Sequence, residues 1–335
     1  NASRTLLWNR HTQNWDDTLC QTFGIPKDAL PRCVPSRQAF GHLSLSHRDI
    51  PPRGEERENL EDPPLLIVTE DHSAALFSAG KTRSDTLYIN LGTGAFLQRV
   101  QTDPLEGTGR LLSSVVFSDG ATTVYALEGT VNGAASALQA FGDEYKATQW
   151  PEKLETWLAH GSSRLPQHGE SKKPPLFINA VGGLASPFWE PRLTSRFIGD
   201  GDLYERFTAV LESILFLIQC NIDEMNTLIR PPDEVRLSGG LGRWDGLCQG
   251  LADLCGLPVK RNSQHEGTSR GLAYLLSEPF GHGSSLGSSV PGERGEWPAQ
   301  CETESFSPKT NPGLKQRYVH WQTAMQQAIK DLHPR

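Results

Sequence analysis

Whatever chemistry this chain performs rests on a few small-residue turns and the carboxylate that precedes them. Gly92-Thr93-Gly94 stands between two strand-like runs, and Ser238-Gly239-Gly240 between a strand-like run and a helical one. Glycine at such turns lets backbone N–H groups come close to an oxyanion, so both are candidate phosphate sites. Upstream, residues 64–68 (P-L-L-I-V) read as a short buried strand and residues 71–79 as a helix, with a polar tip carrying Asp71 between them. A strand, a polar tip and a helix is where α/β folds commonly place reactive side chains. Each turn alone is equally an ordinary tight turn. Their order behind a carboxylate gives the set its weight.

Other patterns carry less. Gly267-Thr268-Ser269-Arg270-Gly271 has nucleophile-elbow spacing, but residues 261–266 are polar where an elbow requires an apolar strand. It reads instead as a helix start, with Thr268 or Ser269 near the cap. Gly281-His282-Gly283 and Gly287 have no strand before them and read as linker. Cys20, Cys33, Cys220, Cys248, Cys255 and Cys301 form neither a C-x-x-C pair nor a set at zinc spacing, so reduced thiols are expected.

The elements that must hold these residues alternate in type, which indicates an α/β fold. Residues 1–62 are polar and turn-rich, with one helix expected over 15–23. Strands are expected over 86–90 and 95–100, as a hairpin tipped by Gly92-Thr93-Gly94, and over 111–117. A small-residue helix is expected over 128–141 and a polar loop over 161–175. Residues 203–229 form the strongest helix, because Phe207, Val210, Leu211, Ile214, Leu217, Ile218, Ile222 and Met225 recur at helical steps. Strands at 235–237 and 258–261 then alternate with helices at 244–255 and 268–276. Residues 281–298 read as a mobile Gly/Ser/Pro-rich loop, and an amphipathic helix is expected over 316–332.

Composition narrows the class. The chain has 335 residues, 37% of them hydrophobic and 21% charged, with a net charge of -7. That length suggests about two domains at roughly 150 residues each. The acidic balance, without Lys/Arg blocks, argues against nucleic acid or anionic membrane as main partners. The apolar stretch at 214–218 falls far short of the roughly 20 residues that a membrane helix requires, so a soluble, cytoplasmic protein is expected. The sequence opens on Asn1 rather than Met.

Several segments resemble the FGGY family of carbohydrate kinases, and the glycerol kinases within it. They are Asn1-Ala2-Ser3-Arg4-Thr5, Trp15-Asp16-Asp17, Phe23-Gly24-Ile25-Pro26, Glu70-Asp71-His72-Ser73-Ala74-Ala75-Leu76-Phe77, Gly92-Thr93-Gly94-Ala95-Phe96 and Tyr125-Ala126-Leu127-Glu128-Gly129. Gly183-Leu184-Ala185-Ser186-Pro187-Phe188-Trp189, Ser238-Gly239-Gly240 and Tyr318, Trp321 and Ala324 continue the match in the same order. The resemblance implies an actin-like, ribonuclease H-like ATPase fold that closes over ATP and a polyol or sugar, with magnesium offsetting phosphate charge. It places Asp71 on the general base, a role in competition with that of a simple helix cap. It assigns Gly92, Thr93 and Gly94 to the ATP phosphates, and Gln139 and Gly240 to the nucleotide near ribose and adenine. Phe96 would pack on the carbon face of the substrate or serve as a core aromatic.

The chain also departs from the pattern. Glu70-Asp71-His72 stands where glycerol kinases usually show Gly-Asp-Gln, so an imidazole, His72, replaces a substrate-binding amide. Ala135 replaces a usual Gly, and Trp244 stands beside adenine where Asn is common, either stacking on the base or packing at a helix start. The family also carries a sheet, with a first phosphate motif and polyol-gripping residues, ahead of the segment matching residue 1. Residues 1–84 are thus expected to be the C-terminal remainder of the substrate domain, and 85–335 the nucleotide-binding domain with its C-terminal helix. A homo-oligomer stays open. The alternative to a kinase is a truncated or degenerate homologue that binds nucleotide, or a partner, without transferring phosphate.

Overall fold

Residues 86–131 build four of the strands of the sheet that carries the site. In the computed structural model, which describes residues 1–43, 62–145, 174–262, 266–277 and 303–333, β3 (Thr86–Leu91) and β4 (Ala95–Gln101) pair antiparallel with Leu91 opposite Ala95. They follow a small ribbon, β1 (Trp8–Asn9) with β2 (Asn14–Trp15), and the helices α1 (Asp17–Thr22) and α2 (Asp71–Ala75). Strands β5 (Leu112–Ser118) and β6 (Thr123–Val131) extend the hairpin side. Helix α3 (Ala135–Glu144), the ribbon β7 (Leu176–Ile178) and β8 (Arg196–Ile198), and helix α4 (Leu203–Leu228) come next. Strand β9 (Glu234–Ser238), helix α5 (Asp245–Cys255), strand β10 (Val259–Asn262), helix α6 (Gly267–Ser277), strand β11 (Thr303–Phe306) and helix α7 (Pro312–Leu332) complete the order. The seven-stranded sheet runs β11-β10-β9-β3-β4-β6-β5, with β3, β9 and β10 mutually parallel and the remaining pairs antiparallel.

The two faces of the sheet differ in chemistry. Leu87, Ile89, Leu91, Leu97, Leu127 and Val131 point into the main core, which they share with the apolar stripe of α4. Burial of that stripe is the largest stabilising contribution this sequence offers. The capping box of Asp202 and Glu205 starts α4, and α7 docks beside it through the fully buried Trp321, whose indole N–H donates to the Phe177 carbonyl at 2.8 Å. The opposite face carries Tyr88, Val100, Val116 and Ala126 against Leu76, Phe77 and Tyr274, under α2 and α6. It also buries Gln98, Ser114 and Glu128.

The structure corrects several sequence expectations. Residues 123–131 are a strand, whereas a helix was expected from 128. Tyr125, Leu127 and Glu128 fit either period, and pairing with both β4 and β5 selects the strand, leaving the helix to begin at Ala135. Residues 64–68 make only isolated bridges to residues 37–42, because Pro63 and Pro64 lack ladder donors. The helix from Asp71 stops at Ala75 rather than 79, and Trp15 belongs to β2. Strands β7, β8 and β11 were not anticipated. Most of the expected 161–175 loop and all of 281–298 lie outside the described residues, as does Cys301. The described cysteines are free thiols, and burial pushes Cys220 up to about 12 and Cys248 and Cys255 up to about 11.

The Gly267-x-Ser-x-Gly271 segment opens α6, as the polar residues before it suggested, and Gly271 has a packing role. A Cβ there would lie 1.7 Å from the Ala74 carbonyl oxygen, so α6 crosses α2 backbone to backbone. Gly271→Ala is therefore expected to destabilise the fold by about 1–3 kcal/mol through overpacking, read as a lower urea midpoint at constant m. An unchanged midpoint would show that α2 and α6 are not in contact.

Candidate active site

Asp71 is the first residue of α2, and its side chain is 85% exposed; its neighbour His72 lines a cleft between α2 and the ends of β3 and β9. The cleft is lined by residues including His72, Asn90, Gln98, Arg236 and Ser238. The His72 ring places Nδ1 3.0 Å from Asp71 Oδ1, and the His72 backbone N–H donates to the same oxygen at 2.7 Å. These two donors hold the Asp71 carboxyl below its ordinary range, against a smaller opposing effect of burial. The ring stacks on Phe96 with centroids 5.4 Å apart and planes 13° apart. Phe96 is 36% exposed, so it is a surface aromatic beside the carboxylate, not a core one.

Behind His72 runs a charged chain that sequence reasoning missed. His72 Nε2 lies 3.0 Å from Glu70 Oε2, and Arg4 Nε lies 2.8 Å from the same oxygen, at ion-pair distance but out of line for hydrogen bonds. Arg4 Nη2 donates to Glu128 Oε2, while Gln98 Nε2 and Ser114 Oγ donate to Glu128 Oε1 at 2.8 and 2.7 Å. Glu128 is 3% exposed, and such a carboxylate requires these donors. The Asn1-Ala2-Ser3-Arg4-Thr5 segment was visible as a motif, but its docking partner was hidden by reading Glu128 as helical.

The glycine turns meet at the ends of β3, β4 and β9. The carbonyls of Gly92 and Thr93 accept from the backbone N–H groups of Ala134, Ala135 and Ser136 at 3.1 Å, which fastens the hairpin tip to the start of α3. A Cβ on Gly239, whose φ is +92°, would lie 2.5 Å from the Leu91 carbonyl oxygen, so the 238–240 turn presses on the end of β3. By contrast a Cβ on Gly240 meets nothing within 4 Å, and one on Gly92 meets only Asn90 Oδ1 at 4.0 Å. The Thr93 side chain is exposed. Open glycine backbone around an exposed hydroxyl fits a phosphate chain.

Asp71, His72 and Phe96 thus form one group, and Gly92, Thr93, Gly94, Gly239 and Gly240 another on the ends of adjacent strands. Gln139 lies further along α3, and its amide donates to Asp143 of the same helix at 2.8 Å. Trp244 precedes α5 and packs against the main core, in line with the helix-start reading. Among the described residues no three His, Cys, Asp or Glu side chains are grouped to hold a metal ion, and no helix is long and apolar enough to cross a membrane.

Residues 87–277 match the C-terminal domain of the FGGY family of carbohydrate kinases, and residues 1–50 match its N-terminal domain. Glycerol kinase of Trichlorobacter lovleyi is 33% identical over 84% of this chain and 54% of its own length. That of Alkalilimnicola ehrlichii is 30% identical over 98% of this chain and 62% of its own. Among solved structures, Plasmodium falciparum glycerol kinase with ADP is similar with a TM-score of 0.75 and 20% identity, over 98% of this chain and 62% of that one. Xylulose kinase from Lactobacillus acidophilus gives a TM-score of 0.70 at 17% identity over 98% and 62%. The fold is therefore that of the actin-like sugar kinases, and the chain spans 54% to 62% of the length of these relatives.

The glycine geometry makes a stability contrast. Gly239→Ala should destabilise the protein by about 1–3 kcal/mol, because the Cβ meets backbone at a positive φ. Gly240→Ala should stay within about 0.5 kcal/mol of wild type, as at an ordinary surface position. Thermal melts of the two variants check this, and equal losses would contradict the packing described.

Proposed function

The chain belongs to the FGGY family of carbohydrate kinases, and from that premise we propose that it transfers the γ-phosphoryl group of ATP to a primary hydroxyl of a polyol or sugar, glycerol first among them, with Asp71 as general base. The observation that carries the reading is the exposed Asp71 carboxylate, kept ionised by His72 beside the exposed Phe96 ring. An exposed, ionised carboxylate can accept the proton of a hydroxyl as its oxygen attacks phosphorus. Phe96 offers an apolar face to the carbon side of a polyol, and His72 can hydrogen-bond a neighbouring hydroxyl.

On this reading Gly92, Thr93, Gly94 and Gly240 hold the phosphates through backbone N–H groups and the Thr93 hydroxyl. Gln139 and Trp244 lie toward ribose and adenine. Magnesium, bound to the phosphates, would neutralise their charge. Most of the rate then comes from positioning and electrostatics, and little from covalent chemistry by the protein. Residues 1–84 belong to the substrate-binding half and 85–335 to the nucleotide-binding half of a cytoplasmic enzyme.

Asp71→Asn is expected to lower kcat by about 10²–10⁴-fold with ATP affinity within about twofold, because the amide cannot accept the proton. A coupled ADP-release assay with glycerol and a sugar panel, alongside calorimetry with ATP and magnesium, checks both numbers. Turnover retained by the variant would remove Asp71 as base. ATP binding by the wild type without turnover on any acceptor would favour the non-catalytic alternative. Gly240→Ala should weaken ATP binding despite its near-native stability, because its methyl group would occupy the space left for phosphate.

A further inference from the structure

Two charged side chains flank Asp71 in sequence, and both belong to the Glu70-Asp71-His72 departure from the Gly-Asp-Gln pattern. In space they form a line. The His72 ring has one nitrogen 3.0 Å from Asp71 Oδ1 and the other 3.0 Å from Glu70 Oε2. Phe96 fixes the ring plane by stacking, and Arg4 braces Glu70 from behind at 2.8 Å. The imidazole side chain is only 15% exposed, whereas the Asp71 carboxylate it touches is 85% exposed. Among the described residues, no other side chain is seen bonded to that exposed carboxylate.

We propose that His72 is a positioning residue for Asp71: set between two carboxylates and clamped by Phe96, it fixes the orientation of the Asp71 carboxylate, and through Glu70 and Arg4 it ties that orientation to the buried Glu128. An amide at position 72 would carry both of its donors on one nitrogen, whereas the imidazole sets its two nitrogens on opposite sides of a rigid ring, one beside each carboxylate. The depressed titration of Asp71, caused first by the His72 hydrogen bond, is the electrostatic side of the same contact. Charged groups facing the ring from neighbouring elements are Arg4 of the N-terminal turn, linked onward to Glu128 of β6, and Arg236 of β9 across the cleft. From α6 the Thr268 hydroxyl donates to the Asp71 carbonyl at 3.2 Å, which holds the backbone and leaves the carboxylate to His72. His72 Nε2 and Glu70 Oε2 are buried and lack aligned hydrogen bonds, so a small rotation of either side chain would complete the line.

The role of Asp71 as base is taken from the proposed kinase reaction, so the test separates the two ideas. The Asp71 carboxyl carbon is followed by NMR against pH in the wild type, in His72→Gln and in Glu70→Gln, with Asp71→Asn assigning the signal. The expected result is a midpoint below the ordinary aspartate range in the wild type, rising clearly in His72→Gln and partly in Glu70→Gln. An Asp71 midpoint that stays put in both variants would overturn the proposal, whether or not the protein turns over any acceptor. In the ADP-release assay, His72→Gln should lower kcat about tenfold or more and move the acid limb of kcat/KM to higher pH, with KM for ATP within about twofold. A uniform loss with an unmoved acid limb would assign His72 to substrate contact alone. Failure of the wild type to phosphorylate any acceptor would count against the kinase reading while leaving the carboxyl titration to decide the role of His72.

Discussion

The structure depends on neutralising one carboxylate. Glu128 sits in the middle of β6, 3% exposed, on the face beneath α2 and α6, beside apolar residues and the buried Gln98 and Ser114. A buried carboxylate without partners is expensive enough to disrupt the sheet. Gln98 from β4 and Ser114 from β5 satisfy one oxygen from the neighbouring strands, and Arg4 satisfies the other from outside the sheet. Because Arg4 must reach Glu128, the first residues of the chain are drawn onto β5, where the Val115 N–H donates to Ser3 Oγ at 3.1 Å. The same guanidinium then meets Glu70, so the local geometry before Asp71 follows from a requirement set inside the sheet.

The apolar face imposes a different constraint on the glycine turns. Helix α4 presses so closely on β6 that a Cβ at Gly129 would lie 2.4 Å from Asn221 Oδ1, and a Cβ at Gly94 would lie 2.7 Å from the Val131 carbonyl oxygen. These contacts leave little freedom in where β3, β4 and β6 end. The hairpin tip is then held by α3, whose first N–H groups it caps, and by the 238–240 turn at the end of β9. A helix start whose donors already serve protein carbonyls cannot itself be the anion site. What stays open is the glycine backbone on the cleft side. Close packing below and open space above belong to the same turn.

Legibility in the sequence followed the reach of each signal. The hairpin and its Gly92-Thr93-Gly94 tip were readable because alternation and turn chemistry are local, and α4 was readable to within a residue because its apolar stripe repeats over many turns. Asp71 was readable as a candidate from its place before a helix and from the resemblance around it. Tyr125-Ala126-Leu127-Glu128-Gly129 was misread because its fate depends on pairing with both β4 and β5, and side-chain periodicity within the segment carries no record of those partners. Arg4 and Glu70 had no local signature at all, since an ion pair between residues 4 and 70 leaves no periodicity. Trp244 offered stacking and packing equally, and the structure shows it packed against the main core at the start of α5.

These constraints divide labour between the two faces of the sheet. The apolar face fixes where strands end, and so where phosphate-sized openings can exist, mainly by excluding volume. The polar face fixes where charge can sit, through a chain from Glu128 to Arg4 to Glu70 to His72 to Asp71, and its links are electrostatic and partly exposed. Loss of one donor at the buried end leaves a carboxylate uncompensated, and an uncompensated charge relaxes by moving whatever neighbour can still move. That neighbour is the N-terminal segment and Glu70, not the strands. The position of the Asp71 carboxylate is thus more sensitive to substitutions at Arg4 or Glu128 than the positions of the glycine turns.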